Sequence, residues 1–179
     1  METKLYTVIV FSENRPGLLN QVSIIFSRRQ LNIESLTVSA SSIEGVHKFT
    51  ITALTDVEIV DKVVKQIEKR IDVLKAYYYV DEEIIYQEVA LYKVETDALL
   101  ESDEIEQIVR KYNARFLEIT RTYSVIEMTG LTHEIKELYD ALDKFSVIQF
   151  SRSGRIAITK STSELLSTFL AEREEQSER

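Results

Sequence analysis

The sequence predicts an α+β chain made of two ferredoxin-like βαββαβ units in series. Three observations carry this. Strand-type and helix-type apolar patterns alternate in the order βαββαβ up to Val80. The same order restarts beyond the acidic stretch Asp81-Glu82-Glu83. Glycine occurs four times and proline once, which leaves little for flexible linkers and points to short polar turns.

Taken in order, Leu5 to Phe11 is an apolar β-type run that Pro16-Gly17 ends. Leu18, Leu19, Val22, Ile25 and Phe26 then recur at helical spacing. Asn32 to Ala40 and Val46 to Leu54 read as strands joined through a turn at Gly45, a hairpin. Asp56 is placed to cap a helix with the stripe Val60, Val63, Val64, Ile67 and Ile71. Val73 to Val80 closes the unit, with Leu74, Ala76, Tyr78 and Val80 on one face. In the first strand, Leu5, Ile9 and Phe11 lie opposite Tyr6, Val8 and Val10. One such domain covers only one sheet face with helices, so the second apolar face implies another domain or chain against it.

In the second half, Val89 to Val94 reads as a strand, and Ser102 precedes a helix carrying Ile105, Ile108, Val109 and Tyr112. Asp103 and Glu104 in its first turn suit the positive end of the dipole. Arg115–Thr120 and Tyr123–Met128 form a hairpin, and Ile135, Leu138, Tyr139 and Leu142 mark another helix. Val147–Phe150 and Ile156–Thr159 are short strands around a Ser153-Gly154 turn. Domain limits follow at residues 1–81, 82–160 and 161–179. In the last piece Ser161 and Glu164 can form a capping box ahead of Leu165, Leu166, Phe169 and Leu170. That helix either docks on its own domain or meets a partner chain, and Glu172 to Arg179 is expected to fray.

The 179 residues carry 22 basic and 30 acidic side chains, a net charge of -8. This argues against a nucleic-acid binder, which needs a basic footprint. With no cysteine and two histidines, disulfides, thiolate metal sites and Cys nucleophiles are excluded, and a Ser-His-Asp triad or His-rich metal site has little to draw on. His47 and His133 each stand alone. No apolar stretch is long enough to span a membrane and no leader is visible, so a cytoplasmic protein is expected. Arg152 and Arg155 flank the late turn; they suit a plain surface turn, or an acidic surface or phosphate. Tyr77-Tyr78-Tyr79 fits a sheet packed on both faces better than a base-stacking platform.

The candidate site lies in two segments. Glu13-Asn14-Arg15-Pro16-Gly17 leads into the first helix, whose free N–H groups and partial positive charge can receive a carboxylate or phosphate. Gly17 lets backbone approach a ligand, and the Asn14 amide donates and accepts. Asn32 and Ile33, at the start of the second strand, offer an acceptor for an ammonium group and an apolar wall. In a split βαβ fold these segments lie at opposite ends of the first helix, so a site using both needs two chains. The sum is a pocket for a free amino acid with a small apolar side chain. Local chemistry alone is also satisfied by a turn at Asn14 and a helix start at Pro16-Gly17.

ENRPGLL followed by FSRRQLNIESLTV resembles the ACT domain of the small, regulatory subunit of acetolactate synthase (acetohydroxyacid synthase). The likeness continues through QEVALYKVE, Tyr123-Ser124-Val125 with Thr129-Gly130, and RSGRIAITK, over about residues 4 to 160. The resemblance implies an N-terminal ACT domain, a C-terminal ACT-like domain, and a dimer, or a higher oligomer, formed through the ACT domain. It implies a non-catalytic subunit that binds the large catalytic subunit, raises its activity and confers feedback inhibition, usually by valine. It implies no cofactor on this chain, with thiamine diphosphate, magnesium and FAD in the partner. Carried over by motif, valine would meet Asn14, Gly17, Leu18 and Leu19 of one chain and Asn32 and Ile33 of the other. Many family members have Gly at the position of Gln30, so the turn there is expected to differ. TDALLESDE opens the helical part of the second unit with no Pro-Gly, so no matching site is expected there. The alternative is a stand-alone ACT-type sensor acting on another partner, such as a transcriptional regulator. A small enzyme is disfavoured because no nucleophile–base pair or metal set is found.

Overall fold

The computed structural model describes residues 2–162 and Ala171. The chain divides into two compact units, one of Met1–Ile85 with the segment from Ala157, the other Tyr86–Ile156. The expected tail helix lies outside the described residues.

The first unit holds β1 (Lys4–Glu13), α1 (Leu18–Ser27), β2 (Ser35–Ala40), β3 (Val46–Thr55), α2 (Val57–Ile67) and β4 (Val73–Tyr79). Its antiparallel sheet has the order β2-β3-β1-β4. Register sets the faces: Val8 pairs with Ile51 and Tyr78, and Val10 with Phe49 and Ala76. These residues form one core with Val22, Ile25 and Phe26 of α1 and Val60, Val63 and Ile67 of α2. On the other face Thr7, Ile9, Thr50 and Thr52 are buried as well. Tyr78 meets Tyr6 edge-on at 5.8 Å, while Tyr77 and Tyr79 lie 6.2 Å apart on the opposite side.

α2 starts where expected, because the Asp56 side chain accepts the Ile59 N–H at 2.9 Å. It does not extend to Ile71, which is 95% exposed. The chain turns after Ile67, and Glu68 accepts the Ala76 N–H and pairs with Lys75 instead of continuing the helix. β2 begins at Ser35 rather than at Asn32, because the chain first arches over residues 32–34 after the turn that closes α1.

Gln30 stands at that end. It has φ +56, the left-handed conformation that glycine favours. The Leu31 N–H reaches Phe26 O at 3.1 Å and the Gln30 N–H reaches Ser27 O at 3.0 Å, a Schellman closure with Leu31 folded onto the core. The turn is left-handed and Gln30 bears the strain. Gln30→Gly is therefore expected to stabilise the unit by roughly 0.5–1 kcal/mol, the strain relieved less the entropy added to the unfolded chain. Urea unfolding checks this; a lower midpoint would contradict it.

The second unit repeats the plan with β5 (Ile84–Glu95), β6 (Arg115–Ile119), β7 (Tyr123–Gly130) and β8 (Gln149–Arg152) in the order β6-β7-β5-β8; a last strand, β9 (Ile156–Thr159), opens the segment that returns to the first unit. The first helical segment is split into α3 (Thr96–Glu101) and α4 (Glu104–Lys111), and α5 (Thr132–Leu142) follows the hairpin. α4 ends as α1 does, with Asn113 at φ +53 and Ala114 N–H bonded to Val109 O. Tyr92, Val94, Ile105, Ile126, Ile135 and Leu138 are the centre of its core. β8 starts two residues later than its apolar run, because Ser146 at φ +58 first turns the chain.

Candidate functional site

The loop between β1 and α1 is held from two sides. Glu13 N–H donates to Asp72 O at 2.9 Å, and Asn14 N–H donates to Gly45 O at 3.1 Å. Arg15 Nε lies 3.0 Å from Glu13 and 3.6 Å from Asp72, so its charge is met within the loop. Gly17 is the residue before the helix, with φ +86 and ψ -8, a conformation that L side chains rarely adopt. No side chain caps α1, in contrast to α2 with its Asp56. The Leu18 N–H is bonded to Arg15 O at 3.4 Å, and no side chain caps the amides that follow it at the positive end of the helix.

Asn14 and Gly17 are exposed, and Leu19 is 45% exposed. Leu18 is only 2% exposed and packs into the core, so it anchors the helix start from below. The Asn32 side chain is exposed and donates to Glu34 Oε1 at 2.9 Å, and Ile33 packs partly against the core. α1 spans ten residues, about 15 Å. The loop and the Asn32 arch lie beyond its two ends. A single chain brings Asn14, Gly17, Leu18 and Leu19 together and keeps Asn32 and Ile33 apart from them. Gly45, read from the sequence only as a turn, and Asp72 and Glu34 brace these segments through contacts that only the folded chain makes.

In the second unit the start of α3 offers nothing similar. The Thr96 hydroxyl is engaged with Thr120 O at 2.9 Å and Ser124 at 3.0 Å, and Asp97 lies in the first turn. Arg155 departs from the surface turn expected for it. It is 2% exposed, its guanidinium lies 3.7 Å from the centre of the Tyr86 ring, and its Nε is 3.9 Å from the buried Glu88. Arg152 approaches the same carboxylate at 3.4 Å. This arginine is internal, with an acidic partner of its own.

Displaced protonation marks structural positions. Burial pushes the Tyr79 hydroxyl up to about 12 and raises that of Tyr92, which donates to Ile135 O at 2.7 Å. Arg115 holds the Glu127 carboxyl below its ordinary range. Among the described residues no group of three acidic or histidine side chains could hold a metal ion, and no helix is long and apolar enough to cross a membrane.

Residues 8–75 match the AHAS small subunit-like ACT domain, and residues 87–161 match the family described as the small subunit of acetolactate synthase. Fold and matches together define an ACT-domain regulatory subunit, a non-catalytic member of an enzyme complex. The chain is 31% identical to the acetolactate synthase small subunit of Mycobacterium bovis, over 89% of this chain and 95% of that one. It is 31% identical to that of Bacillus subtilis, over 87% and 90%. The crystal structure of the small subunit from Thermotoga maritima superposes with a TM-score of 0.81 at 26% identity, covering 89% of this chain and 99% of that one. The chain belongs to the acetolactate synthase small-subunit family.

Proposed function

We propose that this chain binds the large catalytic subunit of acetolactate synthase in the cytoplasm, raises its activity and makes it sensitive to valine. The thiamine diphosphate, magnesium and FAD of that reaction belong to the partner. The observation that carries the valine reading is the separation of two complementary half-sites by the length of α1. One half is an uncapped helix start at Gly17 beside Asn14, suited to a carboxylate. The other is the Asn32 amide beside Ile33, suited to an ammonium and a short apolar side chain. β2 is an edge strand of its sheet, next to the Asn32 arch. A second copy set against that edge with its chain reversed presents each half-site to the other's complement. The pocket then comprises Asn14, Gly17, Leu18 and Leu19 from one chain and Asn32 and Ile33 from the other, and Leu18 contributes backbone and support.

Regulation follows from linkage. Valine bound between two chains favours one dimer state by its difference in affinity for the two, and the attached catalytic subunit feels the same free energy. The test is a thermal shift of the purified chain. Valine at about 100 times its dissociation constant adds roughly 2.7 kcal/mol, which raises the midpoint by several degrees. Asn14→Ala should abolish that shift and weaken inhibition of the reconstituted enzyme while activation persists. A full shift in Asn14→Ala would remove Asn14 from the site, and no shift of the wild type with valine, leucine or isoleucine would overturn the effector reading.

A further inference from the structure

Between α1 and β2 the chain makes a short arch that is pinned at both ends. Leu31 N–H is bonded to Phe26 O at 3.1 Å at its start, and Glu34 N–H to Thr52 O at 2.8 Å at its finish. The Ser35 and Thr52 hydroxyls share a further bond at 2.6 Å. Leu31 and Ile33 pack against the core, while Asn32 and Glu34 are exposed. There Asn32 Nδ2 donates to Glu34 Oε1 at 2.9 Å. An ionised carboxylate has no proton to give, so it takes the NH2 end of the amide and leaves Oδ1 turned away from it. An unattached asparagine can offer a ligand either end of its amide. Asn32 can do so only by giving up a charge-assisted hydrogen bond.

We propose that Glu34 is a positioning residue of the amino-acid site: by holding Asn32 Nδ2 it presents Oδ1 as a fixed acceptor, so the site selects ligands bearing an α-ammonium over carboxylic acids of the same shape that lack it. This rests on the effector-site reading given above. The Glu34 charge works in the same direction, since it attracts an ammonium and disfavours a ligand with a second carboxylate. Closure of a second chain over the arch removes water and strengthens both effects.

Titration calorimetry of the full-length chain tests this with two probes, valine and 3-methylbutanoate, the same skeleton without the ammonium. The wild type should prefer valine strongly. In Glu34→Gln the new amide can donate as well as accept, so Asn32 is free to turn. The valine dissociation constant should rise about tenfold, while 3-methylbutanoate binding stays the same or improves, so the preference narrows. An unchanged preference, or equal losses for both probes, overturns the role of Glu34. If the wild type binds valine no better than 3-methylbutanoate, or binds neither, the effector site itself is misassigned and the role of Glu34 falls with it.

Discussion

Glu88→Gln is expected to cost the second unit about 3–5 kcal/mol of stability. Glu88 and Arg155 are buried to 4% and 2% side-chain exposure, and they meet inside the unit that runs from Tyr86 to Ile156. The carboxylate also accepts from Thr132 Oγ1 at 2.7 Å and faces Arg152 at 3.4 Å. An arginine cannot shed its proton to escape burial. Removing the negative charge deprives the buried guanidinium of the Glu88 charge that faces it, and this is where the cost arises. For a unit of this size the melting midpoint should fall by roughly 15 °C or more. The pair is not the best stabilising choice for the space it fills, since both charges are desolvated to make it. Glu88→Leu combined with Arg155→Met should thus recover much of the loss, because Arg152 is 36% exposed and can turn to water. Differential scanning calorimetry distinguishes the cases. A Glu88→Gln midpoint within a degree or so of wild type would mean that Arg155 is compensated elsewhere.

The parts of the fold legible in the sequence are those set by local period and local chemistry. Tyr6, Val8 and Val10 alternate because one side of β1 faces helices, and Val60, Val63, Val64 and Ile67 repeat because one side of α2 faces the sheet. Asp56 was readable because a cap bond spans three residues. Ile71 shows the limit: its spacing continues the stripe, but the helix has ended and β4 is returning. α3 has no apolar period of its own, with Leu100 exposed, so TDALLESDE marks a helix start without showing the break between α3 and α4. Arg155 looked like a surface residue because its partners, Tyr86 and Glu88, are far away in sequence. The candidate site divides in the same way. Asn14, Gly17, Asn32 and Ile33 stand in recognisable local settings, a helix start and a strand start, whereas the brace on Asn14 by Gly45 and the tether of Asn32 by Glu34 exist only in the folded chain.

Gly17→Asp is expected to abolish the valine response, with a loss of binding of a hundredfold or so, while leaving the fold nearly intact. The two halves of that expectation have separate causes. A Cβ built on Gly17 meets nothing within 4 Å, so packing does not exclude a side chain there. The cost to folding is the left-handed backbone at φ +86, about 1 kcal/mol and less for Asp than for most residues. The cost to the site is larger. α1 offers its first-turn amides without a side-chain cap, and these are the groups proposed to receive the ligand's carboxylate. An aspartate at Gly17 puts a fixed negative charge at the same helix end, competes for the same N–H groups and repels a second carboxylate. Gly17→Asn supplies a side chain of similar size without the charge, so it should weaken valine less than Gly17→Asp does. Calorimetric titration with valine, together with the melting midpoint of the ligand-free chain, reads both effects. Wild-type affinity in Gly17→Asp would place the carboxylate receptor away from the start of α1. A matching loss in the two variants would mean that the backbone strain, rather than the charge, disables the site.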